Sequence, residues 1–177
     1  LIPVLVIGSS LMTNGWAQRK SVPKRTPPAV MNMRSEAVGT VTVSLTSAPD
    51  GVPLSGSSSQ RTLNFGAVSY GMAASSPEVR VMRQPSGFLV ATRFAMSIQD
   101  PSAHVTSATV MAALAVPEPR FSFRLDGVSL GTTPQIIRGQ QQVGVTSQHL
   151  LEIEVPNSVT EKDSRLQNAI LLQVIAN

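Results

Sequence analysis

The sequence predicts an all-β protein, a sandwich of two antiparallel sheets built from about eight to ten strands. Three observations predict it. The stretch Phe88–Gln99 (FLVATRFAMSIQ) places Phe88, Val90, Thr92, Phe94, Met96 and Ile98 on one side of a period-2 pattern and Leu89, Ala91, Arg93, Ala95, Ser97 and Gln99 on the other. No helix would gather those large apolar residues on one stripe. Val, Ser, Thr, Gly, Ala and Pro are prominent while only 14% of residues are charged, which suits strands and turns better than surface helices. Finally, short alternating segments recur along the chain with Gly, Pro, Asn and Asp between them.

At 177 residues and 42% hydrophobic content, the chain is long enough to bury a core as one ordinary domain. It has no cysteine, which excludes thiolate catalysis, cysteine-based zinc sites and disulfides. The net charge of +4 comes entirely from Arg19, Lys20, Lys24 and Arg25. A basic segment on a neutral body, with no aromatics interleaved, argues against nucleic acid as a partner.

Leu1–Met12 is a short apolar run, and Gly15 and Ala17 occupy the small-residue places before a cleavage at Gln18. Residues 1–17 therefore read as a signal peptide truncated at its start, with membrane contact only during export. Residues 18–37 carry three prolines and five basic residues and read as an extended linker. The β domain is expected over 38–177. Val41, Val43 and Leu45 alternate with Thr40, Thr42, Ser44 and Thr46, and Pro49-Asp50-Gly51 then makes a turn.

Arg61–Ser69 is a strand whose alternation breaks at Gly66, where a bulge or a close backbone approach is expected. Glu78–Met82 is a brief strand before the long one at Phe88–Gln99, and Ala108–Val116, rich in alanine and flanked by Pro117 and Pro119, reads as a short helix or a strand, with strand favoured. Arg120–Gly127 points Phe121, Phe123 and Leu125 inward and turns back at Asp126-Gly127 through Val128 and Leu130. Ile136-Ile137 and Val143–Val145 are short strand candidates. His149–Val155 sets Leu151, Ile153 and Val155 against Glu152 and Glu154. Ala169–Ala176 is a final strand, apolar on both faces. The sequence contains no internal repeat.

Gly127-Val128-Ser129-Leu130-Gly131 matches the G-x-S-x-G pattern of a nucleophile elbow. That chemistry needs serine on a strand-to-helix turn, whereas here it lies on a hairpin arm, with no acid between Ser129 and His149. His104 and His149 are too isolated to hold zinc and are expected at the surface. Asp100, Asp126 and Asp163 are expected to bond their own turns, and Glu152 and Glu154 to form a solvated strand face rather than a carboxylate pair. Met82, Met96 and Met111 read as core or interface filler. No catalytic residue, metal site or cofactor is expected.

Leu63-Asn64-Phe65-Gly66-Ala67-Val68, continuing to Gly71, resembles the L-x-F-G-x-V stretch of exported bacterial β-sandwich domains, both pilin-like or spore-coat-like domains and Ig-like modules of the abnormal-spindle/hydin type. It departs from typical pilins in lacking a cysteine pair. The resemblance implies an Ig-like sandwich with a surface or assembly role and no catalysis. The expected function is that of an exported structural or adhesion-type envelope protein, with Val38, Val41, Val43 and Leu45 as the assembly strand pairing with a protein partner or another copy through a sheet edge. The alternative is a carbohydrate- or ligand-binding module with Tyr70, the only tyrosine, as a ligand contact.

Overall fold

The computed structural model describes residues 29–57, 60–66, 78–159 and 166–177. They form twelve strands and no helix, so among the described residues no helix is long and apolar enough to cross a membrane. In chain order the strands are β1 (Ala29–Val38), β2 (Thr42–Ser47), β3 (Leu54–Gly56), β4 (Gln60–Gly66), β5 (Arg80–Gln84) and β6 (Gly87–Gln99). Then come β7 (Ser107–Leu114), β8 (Ser122–Leu125), β9 (Val128–Leu130), β10 (Gln135–Gln142), β11 (Thr146–Pro156) and β12 (Gln167–Ala176). One sheet runs β10-β7-β12-β1-β4-β3; the other runs β2-β6-β11-β8-β9, with β5 also paired to β6. The architecture is a two-sheet β-sandwich.

The count exceeds the eight to ten strands expected, and one element explains why it matters. The linker expected over residues 18–37 ends earlier, because β1 occupies Ala29–Val38 in the middle of its sheet. Met31 and Met33 are fully buried while Asn32 and Arg34 face solvent, a period-2 pattern hidden by polar residues and unbranched methionines. β1 also runs parallel to β12, from Val30 opposite Gln167 to Val38 opposite Ile175, so the sheets are not wholly antiparallel. On its other side β1 is antiparallel to β4, and the register slips where Ala29 faces Gly66 but Val30 faces Asn64, the irregularity expected at Gly66.

The sandwich core is lined by alternate residues of both sheets. In β6, Val90, Phe94, Met96 and Ile98 join it with Leu63 and Phe65 of β4 and Ile170, Leu172 and Val174 of β12. The opposite face of β6 is covered as well: Leu89, Ala91 and Ala95 are buried. Ala91 lies in register between Arg80 and Glu152, and Ala95 between Thr46 and Gln148, each flanked by longer side chains. β12 is less enclosed than expected, since Leu171 on its outer face is exposed. Met96 is core, whereas Met82 is exposed.

β7 is the strand expected near Ala108–Val116. The Asp126-Gly127 hairpin is present, with φ of +51° and +81° at the two turn residues, the left-handed pair a tight type I′ turn requires. Val143–Val145 is a turn rather than a strand, with Gly144 at φ +83°. Asp100 does organise its own loop, accepting from the Ser102 hydroxyl and from the N–H groups of Ser102, His104 and Val105. The Ser102 hydroxyl first, then the Val105 N–H, hold its carboxyl well below the usual range.

Candidate functional site

The long β6 has β11 on one side along nearly its whole length. Its other side is shared end to end: β5 lies opposite Gly87–Ala91 and β2 opposite Phe94–Gln99. β2 is therefore an edge strand among the described residues. The direction of its backbone groups follows from neighbouring bonds. Ile98 O accepts from Gly144 N and Met96 O from Ser147 Oγ, so even-numbered residues of this half of β6 face the β11 side. Ala95, Ser97 and Gln99 then serve the ladder with Thr46, Ser44 and Thr42, their register partners. Val43, Leu45 and Ser47 direct their N–H and C=O groups off the open edge. Consistently, Leu45 O is bonded from outside the sheet by Arg61 Nε at 2.9 Å.

The assembly residues expected from sequence are thus divided by the structure. Val43 and Leu45 lie on β2, half-buried and buried. Val41 is buried where the chain crosses between sheets. Val38 is corrected to the outer face of β1, because Gly39 at φ +102° turns the chain before β2 begins. Tyr70, Ala67, Val68, Gly71 and the expected signal peptide lie outside the described residues.

Between β2 and β5 the edge is closed by a buried hydroxyl. Thr92, expected to sit on an apolar face, is 2% exposed; its Oγ1 accepts from Val52 N at 3.1 Å and donates to Glu78 O at 3.3 Å. Gly51 turns here, its N–H bonded to Ala48 O, with its backbone pressed against that of Arg93. Asp50 pairs with Arg93 above it, both partly exposed, so the pair adds little stability. Because a Cβ at position 51 would overlap the Arg93 carbonyl, Gly51→Ala is expected to cost about 1–3 kcal/mol in urea unfolding. A variant as stable as the parent would contradict that packing.

A second polar group was missed in the sequence. His149, expected at the surface, is 1% exposed and stacks on Phe94 with ring centroids 5.4 Å apart. Its Nδ1 lies 2.7 Å from Asp126 Oδ2, and its Nε2 lies 2.7 Å from Ser147 Oγ. Asp126 does not bond its own turn as expected; its Oδ1 accepts from Leu150 N at 2.8 Å. Burial pushes this carboxyl up, but the bonds from His149 and Leu150 outweigh it and leave the pKa below the ordinary value. The signal was available, since His149 shares the inward parity of Leu151 and Ile153 on β11.

The order serine, histidine, carboxylate is that of a charge-relay hydrolase, but distances alone do not perform that chemistry. An acyl-transfer serine must meet a substrate carbonyl beside converging N–H donors. Ser147 faces the sandwich interior on an inward position of β11, with its hydroxyl also on Met96 O at 3.3 Å. The arrangement ties the β8–β9 turn to β11. Ser129 is elsewhere, exposed on β9 opposite Arg124, and no helix follows it.

Glu154, half-buried, accepts from the Ser86 hydroxyl and lies 3.8 Å from Arg124, so it belongs to a surface charge network rather than to a carboxylate pair with Glu152. No group of three or more histidines and acids that could hold a metal occurs among the described residues. The outer face of the first sheet carries an open cleft of about 680 Å³ lined by Arg34, Glu36, Gln60, Met111, Leu171 and Gln173 among others.

Fold and site together define a β-sandwich with an open, partly guarded sheet edge. Comparison with models of known protein families gives no match, and comparison with curated proteins gives none either.

Proposed function

We propose that this chain is an exported structural or adhesion-type protein of the bacterial envelope, and that it assembles by strand addition at the open edge of β2. One observation carries the reading: Val43, Leu45 and Ser47 direct backbone donors and acceptors away from β6, the arrangement that accepts an extended partner strand. The partner is another copy or a second envelope protein. The polar His149 chain and the core support the edge strand without taking part.

Deleting the segment that leads into β2 would remove β1 from the middle of its sheet, so a point variant is the sharper test. Val43→Pro removes an N–H that the β2–β6 ladder does not use. Light scattering after size exclusion, over a range of concentrations, is expected to show association weakened by about tenfold or more. Unchanged association would remove β2 as the interface between copies of this chain.

The cleft on the first sheet favours a second reading, a ligand-binding module. Its volume of about 680 Å³ falls within the range of small-molecule sites. A glycan or small-molecule screen whose binding is lost in Arg34→Ala would support that reading over assembly.

A further inference from the structure

Arg61 belongs to β4 of the first sheet, where its backbone pairs with Met33 and Gly56. Its side chain leaves that sheet and reaches the edge of the other. There Nε donates to Leu45 O at 2.9 Å and Nη1 donates to Gly56 O at 2.5 Å. Leu45 O is one of the outward acceptors that an arriving strand must engage. A partner strand would lie about 4.8 Å from β2 and donate to Leu45 O, and Arg61 Nε already fills that donor's place.

We infer that Arg61 is a removable cap on the β2 edge, holding it closed to strand addition until a second copy of this chain displaces the guanidinium. The inference rests on the assembly reading above and names how that same edge is regulated. Three features fit the role. A charged side chain over an edge is a common device against uncontrolled pairing. The planar guanidinium holds two carbonyls at once through Nε and Nη1, a fork that a single-point ammonium would not reproduce. Its second anchor, Gly56 O, comes from a residue at φ +106° whose backbone lies tight against Gln60, which aims that carbonyl independently of the edge. The cap therefore joins the margins of both sheets, and displacing it frees Leu45 O while leaving the β2–β6 ladder intact.

The test uses the full chain, with wild type, Arg61→Met, and Arg61→Met combined with Val43→Pro, followed by light scattering across concentration. Circular dichroism and thermal melting check that each variant folds. Arg61→Met keeps the packing stem and removes the donors, and is expected to strengthen association by about tenfold or more. The added Val43→Pro should cancel the gain, which general aggregation through partial unfolding would not allow. If Arg61→Met melts early, Arg61→Lys keeps the charge without the two-point grip and should give a smaller gain in the same direction. A folded Arg61→Met that associates no more than wild type overturns the cap. If Val43→Pro still weakens wild-type association in that case, the edge reading survives alone; if it does not, both fall.

Discussion

Phe94→Ala is expected to lower the stability of the fold by about 3–5 kcal/mol. Phe94 is fully buried in β6, the strand to which β2, β5 and β11 all pair. Its register partners are Ser47 of β2 and His149 of β11. Removing the ring opens a cavity between the sheets and exposes one face of the stacked imidazole, so the loss combines transfer, cavity and contact terms. Urea unfolding checks it, through a lowered midpoint with an unchanged slope. A loss under about 1 kcal/mol would mean that the core collapses around this site. Phe94→Leu should lose less, because most of the volume is retained.

Asp126→Ala is expected to cost about 2–4 kcal/mol, because it orphans two donors at roughly 1–3 kcal/mol each. His149 Nδ1 and Leu150 N both depend on this carboxylate, and neither has another acceptor in the turn. The effect depends on pH, and its sign follows from the lowered pKa. The folded state holds the carboxylate charged at a pH where the unfolded chain binds a proton. Its contribution is complete above the unfolded carboxylate range near pH 4 and is lost as pH falls through the lower folded value. The stability gap between wild type and Asp126→Ala should therefore narrow on acidification. A gap that stays constant down to about pH 2 would show that the carboxylate charge contributes nothing. Asp126→Asn, which can still accept from Leu150, should recover part of the loss at neutral pH.

The period-2 signal was legible wherever one face was apolar and one polar. That is why β6, the β8–β9 hairpin and β11 could be read from local pattern, and why Asp126-Gly127 could be read as the turn of that hairpin. His149 was legible too, by its parity with Leu151, although residue type argued for the surface. A buried histidine becomes acceptable only when partners satisfy it, and Asp126 arrives from 23 residues away through the hairpin.

β1 was not legible. Its Met31 and Met33 reach the core only once β1 is seated between β12 and β4, from the far end of the chain and from beyond β3, and a segment of mixed polarity carries no local mark of such partners. The open edge of β2 was anticipated as a strand, but not as an edge carrying Arg61. By itself the sequence determined that the chain alternates, where it turns, and which residues face a core, because these depend on side chains one to three positions apart. Tertiary structure alone decided which strands are neighbours, which edge stays open and what lies over it. Those properties depend on register between segments tens of residues apart, where each backbone group must find a partner that no local pattern names.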